Sequence, residues 1–459
     1  MNSNQFEISD LNVRFHSLVF EQKASTDGLF KIRECNFALN TNKVSILDII
    51  ALFIFLSGAF IFINTFYLKL PSSIGLMILA LVLSILVLIV GNLFPELHLA
   101  EHVKEYEFEE VLYQIVLTFM LFSGALNIDF KKLSTQRRPV LVLAVVGVLI
   151  STFVIGTSVY FMLDWMGIHL QYLYCLVFGA LISPTDPIAV TKTIRRFHLK
   201  EDLEIKIAGE SLFNDGIAVV LALTILDIAH AGDDHTLTVF ETLYIVVADI
   251  GGGIFIGLFL GYIGYRLLKY VDNDAVEVEV LITLAIVMVG SQLAEFIHVS
   301  AKQAAVVMGL VIGNEGKSSH VASAAGDYVF KFWNLLEETF SAMLFVLIGL
   351  EILVLEPRLD YVSAGFFAVC IVLFGRWLSV FLPIKLMSIK DHFDKNTISV
   401  LTWGALRGGL PIALSLSLTD FHGKEIIVTM TYIVVVCSVL YQGLSVPTLM
   451  KMSQSGPKT

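Results

Sequence analysis

Three observations predict an all-α polytopic membrane protein of about 13 transmembrane helices. Of the 459 residues, 56% are hydrophobic and 15% are charged, whereas average soluble domains are roughly 45–50% apolar and 25% charged. The apolar residues gather in segments long enough to span a bilayer. Basic residues recur in every second connection between these segments. The bilayer is therefore the solvent in which this chain must satisfy its backbone.

Thirteen apolar segments approach or reach the length that a crossing needs, about 20 residues at a rise of 1.5 Å each. They lie near residues 46–67, 72–94, 110–128, 139–163, 170–193, 205–230, 238–268, 277–298, 302–314, 329–354, 361–387, 397–419 and 425–449. The ninth is the weak member, because its length also fits a short, half-buried helix, and the odd total depends on it. Together they predict a membrane domain over residues 46–450.

The distribution of Lys and Arg predicts the orientation of the chain. Basic residues concentrate in alternate connections, such as 129–138 and 194–204. The opposite connections contain only Lys104, Lys302, Arg358 and Lys424. By the positive-inside rule the C-terminus is cytoplasmic and the N-terminus lies outside. The ends are a polar tail over 1–45, without a signal-peptide pattern, and a short cytoplasmic tail over 451–459.

Two predicted spans interrupt their own helical pattern. In the fifth, the motif SPTDP (Ser183–Pro187) contains two prolines, which remove backbone donors and clash with preceding carbonyls. In the twelfth, WGALRGGLP places Arg407, two glycines and Pro411 at a similar depth. Interrupted segments at corresponding positions predict inverted repeats, two unwound crossing helices and a binding site near the membrane midplane.

The sixth span contains the sharpest polar cluster, GESLFNDG. Ser211 and Asp215 share one helix face, and Glu210 and Asn214 share another. Each charge at this depth costs about 2.5–3.5 kcal/mol and so requires a partner or a purpose. Carboxylates, hydroxyls and freed carbonyls are the hard oxygen ligands that a dehydrated monovalent cation requires, and protons compete for the carboxylates. The predicted cation- and proton-binding residues are Asp215, Asp186, Thr185 and Ser211. An alternative role for Asp186, capping a broken half-helix, is compatible with ion binding.

Glu210 requires a partner of its own, since a buried carboxylate left unpaired is strongly destabilising. Arg407 is the basic residue within the interrupted twelfth span. We therefore predict a structural Glu210–Arg407 ion pair that holds Asn214 and the broken segments in place. Secondary candidates at membrane depth are Glu295, His298 and Arg376. Helix ends meeting water explain the first two, and Arg376 has acidic neighbours in the tenth span.

Composition and motifs exclude several classes. The four cysteines lie far apart, without zinc or disulfide spacing. The net charge of -11 brings no basic patch suited to nucleic acid. There is no P-loop and no repeated carbonyl filter of a potassium channel. Two membrane aspartates, Asp186 and Asp215, leave an intramembrane aspartyl protease as a remote alternative, although the GxGD element of such enzymes is missing.

SPTDP, GESLFNDG, AEFIHVS and GALRGGLPIALSLSL together resemble the monovalent cation/proton antiporters of the NhaP and sodium/proton exchanger branch. The runs FSGALNID and FVLIGLEI resemble further landmarks of that family. The resemblance implies the NhaA/NhaP-like antiporter fold and exchange of Na⁺ or Li⁺ for H⁺, with K⁺/H⁺ exchange through the same site as the alternative. It implies that Asp215, Asp186, Thr185 and Ser211 hold the ion, that Glu210 pairs with the arginine of the GALRGG run, and that no cofactor is needed.

The resemblance also implies a homodimer in the plasma (cell inner) membrane that works by elevator-like alternating access. The mobile core corresponds to spans near 139–230 and 361–449, and the dimerisation domain to spans near 46–128 and 238–354. Asn214 before Asp215 implies electroneutral one-for-one exchange. The chain departs from the family pattern at Ser123 and at HVSAKQAA, which brings Lys302 close to the membrane.

Overall fold

The structure, a computed structural model, describes most of the chain after residue 45. The described residues are 46–93, 109–187, 190, 194, 201–231, 239–271, 275–318, 324–350, 358–388, 397–419 and 421–454. The predicted tails at 1–45 and beyond 454 lie outside them.

Within these ranges the regular structure is helical, apart from one isolated β-bridge. The first helices are α1 (Ile46–Ile63), α2 (Ser72–Leu93), α3 (Glu109–Asn127), α4 (Phe130–Thr135), α5 (Arg137–Trp165), α6 (Tyr172–Leu181), α7 (Glu201–Ala231) and α8 (Val239–Tyr270). They are followed by α9 (Val276–Phe296), α10 (Ala301–Ser318), α11 (Ala324–Leu350), α12 (Leu359–Met387), α13 (Thr397–Trp403), α14 (Leu410–Leu416), α15 (Lys424–Cys437) and α16 (Gly443–Gln454). Short π-helical turns, Asn64–Leu68 and Ser438–Gln442, extend α1 and join α15 to α16.

Eight spans in the described part of the chain are long and apolar enough to cross a membrane. Shorter apolar helices occupy the second, third and fifth predicted segments. The weak ninth segment contains α10, and the twelfth is divided into α13 and α14. Each predicted segment thus contains a described helix, which confirms the all-helical membrane fold. The total of 13 crossings stays a prediction.

The helices pack mainly within two groups. One group contains α5, α6, α7, α12, α14 and α15, and the other contains α2, α3 and α8–α11. Helix α7 lies at the boundary, where it also contacts α8 and α10. The division into a core domain and an interface domain, and their separate motion, stay predictions.

Glycine permits the closest helix contacts in both groups. In the first, a Cβ added at Gly179 of α6 would clash with the Thr152 carbonyl of α5. In the second, Gly257 and Gly261 of α8 lie against α10, where an added Cβ would meet Val307 and Val311. Gly257 and Gly261 therefore serve packing within the fold.

Candidate functional site

The two interrupted segments meet in the interior of the first helix group. Helix α6 ends at Leu181, and residues 182–187 are not helical. Residues 404–409 likewise separate α13 from α14. The segments touch through the isolated bridge, in which the Asp186 N–H donates to the Leu406 carbonyl at 2.7 Å. We call this contact the crossing. It supplies a local backbone partner where regular helical bonding is lost.

Gly408 allows the crossing to be this close. A Cβ added at Gly408 would lie 3.0 Å from Asp186 Cβ and 3.3 Å from Asp186 Oδ2. Those separations are tighter than ordinary van der Waals contact, so any larger residue would push against the carboxylate. The glycine pair that sequence analysis treated as a helix breaker therefore also makes room for Asp186.

Arg407 replaces a backbone donor that proline removes. In a regular helix the Ser183 carbonyl would accept from the N–H of residue 187, which is proline and has none. The Arg407 guanidinium donates instead, through Nη1, to the Ser183 carbonyl at 2.7 Å and the Pro184 carbonyl at 2.9 Å. Its backbone N–H donates to Ser438 Oγ at 3.0 Å in the π-helical turn. Arg407 is only 2% exposed, so it ties both broken segments to α15 inside the protein.

Helix α7 presents its polar cluster to the same crossing. Ser211 Oγ donates to the Thr185 carbonyl. Asn214 Nδ2 donates to Thr185 Oγ1 at 3.0 Å. All three residues are buried. The face of α7 that carries Ser211 and Asp215 is thus oriented toward SPTDP. Thr185 is held by two side chains, those of Ser211 and Asn214.

Asp215 supplies the free acceptor capacity of this site. Its Oδ1 is buried and has no hydrogen-bond partner in the part of the chain that the structure describes. Its carboxylate accepts a backbone hydrogen bond from Thr185 and lies in electrostatic range of Asp186. Asn214 Oδ1 is likewise buried without a hydrogen-bond partner among the described residues. A buried oxygen is rarely left unsatisfied, so these atoms form a set of acceptors suited to a small cation or a proton.

The predicted Glu210–Arg407 ion pair is wrong. Glu210 pairs with Arg376 of α12, from Nη1 to Oε1 at 2.5 Å and from Nη2 to Oε2 at 2.9 Å. Arg376 also donates to the Leu401 carbonyl from Nε and Nη2, at 3.3 and 3.0 Å. The guanidinium of Arg407 is occupied by the carbonyls freed at Ser183 and Pro184. The bidentate fork therefore comes from an unbroken helix, and Glu210 and Arg376 are 2% and 6% exposed.

The remaining secondary candidates lie apart from the crossing. Glu295 and His298 are exposed at the end of α9, where Gln292 donates weakly to Glu295 at 3.4 Å. His298 has a positive φ of 59° in the turn that follows. Among the described residues, neither side chain has a hydrogen bond or ion pair with Thr185, Asp186 or Asp215. Arg376, the third secondary candidate, is instead the ion-pair partner of Glu210.

Two residues that approach this site from the second helix group are not among the predicted site residues. Gln303 is buried against Gly216, and Lys302 lies in electrostatic range of Asp215. The signal was present, since HVSAKQAA departs from the small, apolar pattern expected there. It was assigned to an outer connection because hydropathy cannot show how deeply a turn is buried.

An integral, all-helical protein with a buried carboxylate beside two interrupted segments belongs, by class, to the secondary transporters and not to the enzymes. Residues 50–452 match the family described as "Sodium/hydrogen exchanger, transmembrane". The chain belongs to this sodium/hydrogen exchanger family.

Similar proteins support this membership. The chain is 40% identical over 417 residues to the Na(+)/H(+) antiporter NhaP of Pseudomonas aeruginosa, covering 89% of this chain and 97% of that protein. It is 32% identical to the Na(+)/H(+) antiporter NhaH of Halobacillus dabanensis, covering 84% and 92%. The structure of the sodium proton antiporter MjNhaP1 from Methanocaldococcus jannaschii at pH 8 has a TM-score of 0.69 and 20% identity, covering 88% and 97%. The fold is therefore that of an NhaP-type antiporter.

Proposed function

We propose that this protein is a secondary antiporter that exchanges Na⁺ for H⁺ at the crossing. The observation that carries the proposal is Asp215 Oδ1, a buried acceptor without a described partner, beside two interrupted segments. A carboxylate at this depth is costly, and so it marks an ion pathway by default. Membership in the sodium/hydrogen exchanger family and the sodium named in both relatives above favour Na⁺ over K⁺.

In this mechanism the cation and the proton share one carboxylate. Deprotonated Asp215 binds the cation together with Asp186, Thr185 and Ser211, whose carboxylate, hydroxyl and carbonyl oxygens replace its water shell. Protonated Asp215 is neutral and returns without a cation. Because the unneutralised carboxylate is costly to carry across the membrane interior, movement is restricted to the two occupied states. Competition for Asp215 is then sufficient to couple the two fluxes, with no cofactor.

Glu210 and Arg376 have a structural role in this proposal. They neutralise each other through two hydrogen bonds, so the cost of their burial is offset without an ion. Because this pair is neutral overall, the carboxylates that bind the transported ion are those of Asp215 and Asp186. Asn214 is uncharged and donates to Thr185, which supports electroneutral exchange of one cation for one proton.

We further propose a homodimer in the plasma membrane, with the C-terminus in the cytoplasm. The dimerisation surface would lie in the second helix group with α1, and the first group would move against it in elevator-like alternating access. Support comes from the distribution of basic residues and from the sparse contacts between the two groups outside α7.

The test is cation-induced dequenching of a pH-sensitive dye in proteoliposomes. Wild type should move protons when Na⁺ or Li⁺ is added, more strongly than with K⁺, and Asp215→Asn should not. Asp227→Asn is the matched control, because Asp227 lies on the same helix but is exposed, and it should behave as wild type. Folded wild-type protein that responds to none of the three cations between acidic and alkaline pH would falsify the proposal.

A further inference from the structure

The turn between α9 and α10 packs against α8 about a third of the way along that helix. The Ser300 N–H donates to the Asp249 carbonyl of α8 at 3.3 Å. Gly252 and Gly253, one helical turn on, lie against Val299 and the Ser300 carbonyl so closely that an added Cβ would clash. Asp249 is the tenth residue after Val239, or about 15 Å along α8 at 1.5 Å per residue. This turn therefore packs against α8 some distance from the N-terminal end of that helix.

The first turn of α10 then reaches the helix that carries the proposed ion site. Gln303 is 2% exposed, and its side-chain amide occupies the position that a Cβ on Gly216 would take. Its backbone N–H is fixed by Ser300 Oγ at 3.3 Å. Since Gly216 directly follows Asp215, α10 contacts α7 at the level of the transported charge.

Lys302 brings a positive charge to this contact. Lys302 is half-buried, and its ammonium lies in electrostatic range of Asp215, Asp249 and Glu295. Among the described residues, the Lys302 ammonium forms no direct ion pair with any of these three carboxylates. A lysine at this depth is costly, and the three neighbouring carboxylates offset that cost. Helix α10 packs with α3, α8 and α9, so the charge is held by the second helix group and faces a carboxylate on α7.

We propose that Lys302 is a resident positive charge that sets the cation affinity of the crossing. With the crossing empty, the ammonium offsets part of the Asp215 charge. When a cation binds Asp215, the two positive charges oppose each other and binding weakens. Asp249 strengthens cation binding, because its carboxylate offsets part of the positive charge of Lys302. This inference rests on the proposed function and names a residue that tunes it.

The first test compares Lys302→Met with wild type in the dye assay. Removing the charge should lower the Na⁺ concentration for half-maximal exchange about fourfold to thirtyfold, the range given by unit charges roughly 8–10 Å apart at an effective dielectric constant of about 20–40. Lys302→Arg should keep the wild-type value. Lys385→Met, which removes an exposed lysine from α12, should also keep it. Sodium-dependent thermal stabilisation of the purified protein should shift its midpoint in the same direction, because it reports binding without turnover.

A second variant keeps the inference testable if Lys302→Met fails to fold. Asp249→Asn leaves Lys302 charged but removes one of its offsetting carboxylates, so the half-maximal Na⁺ concentration should rise. An unchanged midpoint in folded Lys302→Met, or in Asp249→Asn, would overturn the inference and leave Lys302 as a packing residue. If wild type exchanges Na⁺ but the variants leave the midpoint unchanged, the proposed function stands and only the inference about Lys302 fails. If wild type itself exchanges no cation, the proposed function fails.

Discussion

At the scale of single residues, the site separates charges that carry ions from charges that hold the protein together. Glu210 and Arg376 satisfy each other in two parallel hydrogen bonds. Asp215 retains a buried oxygen without a described partner. The two carboxylates are five residues apart on α7, so neighbouring positions of one helix have opposite chemical roles because they face different elements.

The Glu210–Arg376 pair predicts a specific energetic coupling. Glu210→Gln or Arg376→Gln alone should lower the free energy of unfolding by about 3–5 kcal/mol, because each leaves one buried charge unpaired. The double variant should lose clearly less than the sum. Equilibrium unfolding of purified protein measures all three values.

Arg407 provides the control for that cycle. Glu210→Gln and Arg407→Gln should couple more weakly than Glu210→Gln and Arg376→Gln, because Arg407 lies in electrostatic range of Glu210 but has no hydrogen bond with it among the described residues. Strong coupling with Arg407 and none with Arg376 would contradict the pairing described here.

Asn214 predicts an effect on affinity through Thr185. Asn214→Ala removes the donor to Thr185 Oγ1, a contact worth about 0.5–1.5 kcal/mol. The half-maximal Na⁺ concentration should therefore rise by roughly threefold to tenfold, as measured by dye dequenching. Thr185→Ser retains the hydroxyl and should change it less. Equal effects of the two variants would show that the hydroxyl contact does not orient the site.

At the scale of elements, sequence patterns predicted much of the architecture. Prolines in SPTDP and glycines after Arg407 predicted where the helices end, because missing donors and flexible backbone have local consequences. The side-chain period of α7 predicted one shared face for Ser211 and Asp215. Asn214, predicted on another face, also donates to Thr185 at the crossing. These features depend on residues close together in the chain, and the structure describes helix endings at both positions.

The arginine partners could not be predicted in this way. Arg376 and Arg407 both lie at membrane depth, and hydropathy does not show which guanidinium faces α7. The choice depends on the Ser183 carbonyl, whose helical donor is lost at Pro187 and which Arg407 satisfies. Lys302 was misplaced for a similar reason, since the burial of its turn depends on Asp249 and the glycines of α8, about 50 residues away.

The crossing predicts a steric effect at one glycine. Gly408→Ala places a Cβ against Asp186, at 3.0 Å from its Cβ, so the carboxylate or the segment must shift. We expect the maximal exchange rate to fall at least about tenfold, since a displacement near 1 Å at a reacting site costs about a hundredfold. Gly251→Ala is the matched control, because an added Cβ there meets nothing within 4 Å. Wild-type rates in both variants would show that the crossing tolerates a wider separation.

At the scale of the whole molecule, the two helix groups meet largely through α7, with a smaller contact between α14 and α3. Helix α7 carries the site residues, packs with α5 and α6, and contacts α8 and α10 across the boundary. A motion of one group against the other would therefore change the surroundings of Asp215 directly. On the α10 side of this boundary, Gln303 lies against Gly216 and Lys302 lies in electrostatic range of Asp215.

The orientation of the whole molecule gives the last prediction. Helix α5 contains 29 residues, or about 43 Å at 1.5 Å each, which exceeds the hydrocarbon thickness of about 30 Å. Its first end adjoins Lys131, Lys132, Arg137 and Arg138. Its other end leads to His169, whose side chain is 84% exposed. By the positive-inside rule the first end is cytoplasmic.

Single cysteines at the two ends of α5 test this directly, in a background where the four native cysteines are replaced by serine. In right-side-out vesicles an impermeant maleimide should label His169→Cys at once and Lys131→Cys only after permeabilisation. Both positions are exposed, so burial cannot explain a difference. The reverse order of labelling would mean that the protein has the opposite orientation in the membrane. Lys302 would then approach the site from the other side of the membrane. Labelling of both residues without permeabilisation would mean that α5 does not cross the membrane.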